Sequence, residues 1–139
     1  NLMKQIYLIA CSFFVTFNLY AQQIPEKANT LSVTFADSSN LSSKIIKAFE
    51  QNDYTVKNLK KSLIHISSEP KTLKSNTRVA LTSDVKGNVV GLSARLVYTG
   101  QDAVNVEYNG KKGTPIMMAW EEMEKVAKSL GGVVTYERN

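Results

Sequence analysis

The chain has 139 residues, the size of a single domain, and 17 Lys and Arg against 12 Asp and Glu give it a formal net charge of +5 at pH 7. Only one Cys and one His are present. These counts exclude a disulfide framework and a zinc site of the usual Cys and His type. The basic balance points toward anionic partners.

The N-terminus has the pattern of a secretory signal peptide. Lys4 precedes an almost continuous apolar run, Ile6–Phe17, and a small residue, Ala21, then precedes two Gln residues. This pattern predicts a signal peptide over residues 1–21, and the run is short for a membrane span of roughly 20 apolar residues. Cleavage leaves 118 residues, a charge of +4 and no Cys. The alternative is a lipoprotein anchored at Cys11, because the residues that end there have the form of a lipobox. Either way the sequence predicts an exported protein, periplasmic or secreted.

A polar leader, residues 22–29, precedes one domain over residues 30–139. Residues 30–36 alternate apolar and polar side chains and predict a strand. Residues 41–51 have helical spacing, and the polar residues 37–40 before them offer several N-caps. Residues 62–68 predict a second strand in which Ile64 and Ile66 share a face, and Pro70 follows its end.

A hairpin is the clearest β signal of the chain. Residues 77–85 and 88–98 alternate on either side of Lys86 and Gly87, and a Gly at such a turn accepts a positive φ. Residues 103–108 predict a shorter strand with Val104, Val106 and Tyr108 on one side. Residues 133–136 predict a final strand.

A helix over residues 114–132 carries signals at both ends. Thr114 is the expected N-cap, Pro115 takes the first helical position, and Gly131 and Gly132 stop the helix. Its predicted buried face consists of Ile116, Ala119, Trp120, Met123, Val126, Ala127 and Leu130. The charged residues are predicted to face solvent, with Glu121–Lys125 and Glu124–Lys128 as ion pairs.

The order of elements is β-α-β-β-β-β-α-β, which predicts the α+β class. We expect a two-layer sandwich in which an antiparallel sheet of about five to six strands carries both helices on one face. The other face of the sheet is expected to be more exposed.

The sequence predicts no catalytic residue, no metal site and no cofactor. His65 is the one histidine, so a Ser-His-Asp arrangement would have to include it, and no nucleophile-elbow motif accompanies it. Residues 110–113 before the last helix lack the spacing of a phosphate-binding loop and read as a flexible linker.

Two sets of residues are candidates for binding. Basic side chains cluster around the second strand and suggest a surface for anionic lipid or an acidic polymer, or else protection of a sheet edge. This candidate binding surface consists of Lys57, Lys60, Lys61, Lys71 and Lys74. Met118 and Trp120 are candidates to line a pocket. Nucleic acid is not an expected partner, because aromatic residues do not alternate with the basic ones.

Two resemblances follow from these segments. Residues 113–137, together with an apolar signal that ends in Tyr-Ala-Gln-Gln, resemble small uncharacterised secreted or periplasmic proteins of Bacteroidetes-type bacteria. The order of strands and helices is similar to the helix-grip domains of BamC-type outer-membrane-assembly lipoproteins. The resemblances imply a fold and a compartment, and they transfer no functional residue.

The leading hypothesis is a non-enzymatic envelope domain that binds a protein or an envelope component through its exposed sheet face or its Lys-rich edge. The alternative is a carrier that holds a small apolar molecule between the last helix and the sheet. A small hydrolase is the third hypothesis, and the inventory of residues opposes it.

Overall fold

A long hairpin forms the centre of the molecule. In the computed structural model, which describes residues 23–57 and 64–139, strand β5 (Arg78–Lys86) pairs along its whole length with β6 (Val89–Val97). Gly87 and Asn88 connect the two strands, and Gly87 has a φ of 60°. A two-residue hairpin loop with Gly at its first position needs this conformation.

Six more strands complete one antiparallel sheet around the hairpin. They are β1 (Thr30–Thr34), β2 (Val56–Lys57), β3 (His65–Ser68), β4 (Lys71–Thr72), β7 (Val104–Asn105) and β8 (Val133–Glu137). The order across the sheet is β2-β3-β5-β6-β1-β8, while β4 pairs with β5 and β7 pairs with β6. The sheet is open, and β2 and β8 form the two ends of this order.

Both helices cover the same face of the sheet. Helix α1 (Leu41–Gln51) packs on β2, β3 and β5, and helix α2 (Pro115–Leu130) packs on β6, β1 and α1. The predicted α+β class, with an antiparallel sheet, is therefore confirmed. The sheet has eight strands rather than five to six, because the two-residue strands β2 and β4 are too short for an alternating pattern to predict them.

The ends of α2 are those that the sequence predicted. Thr114 Oγ1 accepts a hydrogen bond from the Met117 N–H at 3.3 Å, and Gly131 ends the helix with a φ of 85°. Gly132 then passes close to β1: a Cβ added there would lie 2.6 Å from the Thr34 carbonyl oxygen. Gly is thus needed where the chain returns to the sheet. At α1 the bounds are as predicted, but the N-cap residue Asn40 makes no side-chain capping bond.

Trp120 lies at the centre of the core. Its side chain is fully buried, and its ring centroid lies 5.4 Å from that of Tyr108 and 6.1 Å from that of Tyr136. The other large, fully buried side chains come from both layers: Phe49, Leu31, Ile45, Leu81, Leu92, Leu96, Met123, Val33, Val79, Val90 and Val106. Of the predicted face of α2, six residues are buried and Ile116 is half-buried.

Two predicted alternations are wrong in part. Ile64 is 63% exposed although Ile66 is buried, because β3 begins only at His65. Val104 is 43% exposed although Val106 is buried, because β7 ends at Asn105 and the chain no longer alternates beyond it. The predicted signal peptide over residues 1–21, with Cys11, and the first residues of the predicted second strand lie outside the described residues.

Candidate functional site

The sheet face opposite the helices, which we call the open face, is covered by neither helix, although Ser32 and Ala80 on it are buried. Alternate residues of each strand form it, as the burial patterns of β5 and β6 and the register between strands establish. Many of its side chains are small and carry hydroxyl groups: Thr30, Ser32, Thr34, Ser67, Thr82, Ser93 and Thr135. Such a face offers hydrogen-bonding groups beside the apolar side chains of Ala80, Val89, Val97 and Val133.

A groove of about 520 Å³ crosses the open face over β1, β5, β6 and β8. Gly91 lies in its lining, and a Cβ added there would have no neighbour closer than 3.8 Å. A side chain at position 91 would therefore enter the groove without a steric clash at its Cβ. Asp84, Lys86 and Glu137 supply the charged groups of the lining.

Four cations project from the open face. Lys57, Lys86 and Arg95 are exposed, and Arg78 is half-buried. No one of the four makes an ion pair with another residue in the described ranges. Arg78 and Lys86 stand at opposite ends of β5, about 26 Å apart along an extended strand. The cations therefore flank the groove region rather than gather at one point.

A hydrogen-bonded trio on the open face brings together the types of residue found in serine hydrolases. His65 Nδ1 lies 2.6 Å from Asp84 Oδ1, and Ser67 Oγ lies 3.4 Å from His65 Nε2. The cross-strand register explains the contact, since His65 is directly opposite Asp84 and Ser67 follows two residues later on the same face. The side chains of His65 and Asp84 are 55% and 58% exposed, so water reaches both.

The candidate basic surface divides into separate parts. Lys57 lies on the open face, opposite Ser67. Lys71 turns to the helix side, where its ammonium group is bonded to Glu122, and Lys74 is exposed in a 3-10 helix, Lys74–Asn76. Lys60 and Lys61 lie outside the described residues. Sequence reasoning missed Arg78, Lys86 and Arg95, which the hairpin register places on the same face as Lys57.

Glu122 corrects the prediction that the acidic residues of α2 face solvent. Its side chain is only 8% exposed and accepts bonds from Lys71 Nζ and Lys125 Nζ, each at 2.9 Å. Tyr54 Oη donates a third bond, at 3.0 Å. Lys71 also donates to the Asn52 carbonyl oxygen at 2.9 Å. Glu122 therefore ties β4 and the segment after α1 to α2.

The same contacts decide the protonation of this cluster. Burial raises the pKa of Glu122, but hydrogen bonds from Lys125, Lys71 and Tyr54 outweigh it, so that the pKa lies below its usual value. Burial, followed by the Glu122 carboxylate, raises the pKa of Tyr54. The folded protein therefore stabilises the ionised form of the Glu122 side chain more than its protonated form.

The two expected ion pairs of α2 are replaced by other contacts. Lys125 bonds to Glu122 rather than to Glu121. Glu124 Oε2 accepts a bond from Tyr136 Oη at 3.2 Å, and burial, followed by this carboxylate, raises the pKa of Tyr136 to about 12. The bond from Tyr136 connects α2 to β8, while the bond between Lys125 and Glu122 lies along the surface of α2.

Met118 and Trp120, the candidates to line a pocket, lie in different surroundings. Met118 is half-buried and borders a groove of about 670 Å³ on the outer side of α2, whose other lining residues are Thr72, Leu73, Lys74, Glu121, Glu122 and Lys125. Trp120 is absent from that lining because its ring is packed between two tyrosines in the core. Its buried Nε1–H has no hydrogen-bond partner within the described part of the chain.

Two further findings concern the described residues alone. They contain no group of three or more His, Cys, Asp or Glu side chains placed to hold a metal ion. They also contain no helix with the length and apolar character needed to cross a membrane.

No protein-family model matches the chain, and none of the curated proteins compared with it matches either.

Replacing Glu122 by Gln should lower the free energy of unfolding by about 2 kcal/mol at pH 7, because charge-assisted hydrogen bonds from two Lys and a Tyr are weakened. Because folding lowers the pKa of Glu122, this stabilisation is fully present above the ordinary carboxyl pKa of 4.5. It is lost as the pH falls through the pKa that Glu122 has in the folded state. Urea unfolding at a series of pH values should therefore show that the difference in free energy of unfolding between wild type and variant shrinks from pH 7 to pH 3.

The matched control is Glu121→Gln, which removes the same charge from an exposed neighbour on α2. We expect it to change stability by less than about 0.5 kcal/mol at any of these pH values. Equal losses for the two variants, or a difference for Glu122→Gln that does not change with pH, would contradict the account of the cluster.

Proposed function

We propose that this chain is an exported, non-enzymatic binding domain that holds an acidic segment of a partner protein against its open face. The export rests on the signal-peptide pattern of residues 1–21. The observation that carries the binding proposal is the set of four unpaired cations on one uncovered sheet face: Lys57, Arg78, Lys86 and Arg95.

The charges of the two faces differ in a way that supports this proposal. On the helix side, Lys71 and Lys125 are both bonded to Glu122, and Lys44 lies 5.1 Å from the centroid of the Phe35 ring. The open face carries two carboxylates, Asp84 and Glu137, against its four cations, and Asp84 is bonded to His65 rather than to a Lys or Arg. Unpaired cations on a surface attract acidic partners and increase the rate of their encounter.

The shape of the open face favours a protein segment over a membrane. The groove of about 520 Å³ is concave and lined by both polar and apolar groups, whereas a bilayer surface would lie across it without filling it. The distance of about 26 Å between the ends of β5 matches roughly eight residues of an extended chain. A chain of that length could place acidic groups against cations at both ends of the strand.

The alternative function, a carrier of a small apolar ligand, has weaker support. It requires an apolar cavity of some hundreds of Å³ beside Trp120, but Tyr108 and Tyr136 occupy positions against that ring. The groove that borders Met118 has a suitable volume, yet Lys74, Glu121, Glu122 and Lys125 line much of it. These charged groups favour neither entry nor retention of an apolar molecule.

The proposal includes the absence of catalysis. The exposed trio of His65, Asp84 and Ser67 allows this part of the proposal to be tested. We expect hydrolysis of p-nitrophenyl acetate to proceed at the rate of an exposed imidazole, since Ser67 is not shielded from water for acyl transfer. Ser67→Ala should therefore leave the rate unchanged, while His65→Ala lowers it. A large loss of rate in both Ser67→Ala and Asp84→Asn would contradict a purely binding function.

Reversing two open-face charges should weaken the binding of an acidic polypeptide. For the double variant Lys57→Glu and Arg95→Glu, we expect affinity for polyglutamate to fall at least about tenfold, the equivalent of about 1.4 kcal/mol. Titration calorimetry or fluorescence anisotropy at two salt concentrations measures this, and the wild-type affinity should fall as salt rises.

The matched control is Lys47→Glu with Lys112→Glu, which makes the same change in net charge at exposed positions outside the open face. It should weaken binding far less. Gly91→Gln fills the groove without close backbone contacts and should also reduce affinity, whereas Gly91→Ala should not. Equal losses for the two charge-reversal variants, or tighter binding to anionic vesicles than to polyglutamate, would overturn the proposal.

A further inference from the structure

The outer edge of β8 lies at one end of the sheet. β8 pairs with β1 on one side only, and no other strand in the described ranges pairs with it. An edge strand presents unpaired N–H and C=O groups that can bind another strand. Its first residue, Val133, is 68% exposed.

The two edge strands, β2 and β8, differ in the features that prevent pairing with a strand of another chain. β2 has only two residues, and one of them is Lys57, so it is both short and charged. β8 has five regularly alternating residues without Lys or Pro, and four of them are Val, Thr or Tyr. Short length, charged side chains and Pro are the usual devices that protect an edge, and of these β8 has one charged residue, Glu137, at its end.

We propose that β8 is a self-association edge, which pairs antiparallel with β8 of a second copy of this chain about a two-fold axis at Thr135. Only that register overlaps all five residues, because it sets Val133 opposite Glu137 and Thr135 opposite itself. Residues of the same face then meet across the junction. The two sheets become one continuous sheet.

The side chains of β8 complement themselves in this register. On the helix side, the half-buried Val134 comes opposite the half-buried Tyr136 of the second copy, twice by symmetry. Pairs of β-branched and aromatic residues across strands are favourable, as are Thr–Thr pairs. The two Glu137 carboxylates lie at opposite ends of the paired strands, roughly 13 Å apart along them, so they do not repel each other strongly.

The helices leave room for the second copy. α2 packs mainly over β6 and β1, and α1 packs over β2, β3 and β5, while Tyr136 of β8 contacts Trp120 and Glu124 of α2 from the inner side of the strand. A five-residue strand pair is a small interface, which corresponds to a weak dimer with a dissociation constant on the order of micromolar. Both copies keep their open faces, so the pairing is independent of the proposed binding of an acidic segment.

Sedimentation velocity of the purified protein over a range of concentrations tests the proposal. The wild type should pass from monomer to dimer as concentration rises. Thr135→Lys and Thr135→Glu each place two like charges opposite each other at the axis and should weaken the dimer at least about tenfold. An equimolar mixture of the two variants should dimerise at least as strongly as wild type, because each Lys then meets a Glu.

Thr55→Lys is the matched control, since it makes the same change at an exposed Thr beside the other sheet edge, and it should leave the dimer unchanged. Circular dichroism of each variant confirms that it is folded. A wild type that stays monomeric at every concentration would overturn the proposal. So would Thr135 variants that dimerise like wild type, a control that weakens the dimer equally, or a mixture that fails to restore it.

Discussion

The packing of α2 on the centre of the sheet is the constraint on which the rest of the structure depends. Trp120 and the apolar stripe around it cover β6 and β1, and the aromatic rings of Tyr108 and Tyr136 close over Trp120 from the loop before the helix and the strand after it. Burying a side chain of this size typically contributes several kcal/mol, since truncation of a core Trp costs about 3–5 kcal/mol. That packing fixes which sheet face is covered.

The covered face then determines where charge can be placed. A carboxylate buried on α2 requires partners, and Glu122 has two Lys ammonium groups and the Tyr54 hydroxyl around it. The cations on the other face have no such requirement, because water solvates them. Within the described residues the cations of the open face make no ion pairs, while on the helix side the bond from Lys71 to Glu122 holds the two layers together.

Local signals in the sequence predicted the parts of the fold that depend on neighbouring residues. Thr114, Pro115 and Gly131 mark the ends of α2, and strict alternation marks β5 and β6. The helical pattern alone predicts that Glu122 faces solvent, because its partners Lys71 and Tyr54 are 51 and 68 residues away. The helical pattern contains one indication that Glu122 is buried, since this residue borders Met123 and Val126 at the edge of the apolar stripe.

The candidate site could be predicted less well, because it depends on register between strands. The contact between His65 and Asp84 exists only because these residues are opposite each other on β3 and β5, and no local pattern reports which residues will be opposite. Register also separates two members of the candidate basic surface: Lys57 and Lys71 are 14 residues apart, and their strands direct them to opposite faces. Arg78 and Arg95, which are 17 residues apart, lie on neighbouring strands whose register places both on the open face.

The most direct test of this account is an NMR titration of the protein with polyglutamate that follows two kinds of signal. The indole N–H of Trp120 gives a single resonance, because the chain has one Trp, and the Gly91 amide reports on the groove of the open face. We predict that the Gly91 amide and the Arg95 side chain shift while the Trp120 indole does not. A shift of the Trp120 indole with an unchanged open face would place the ligand between α2 and the sheet and would contradict the account.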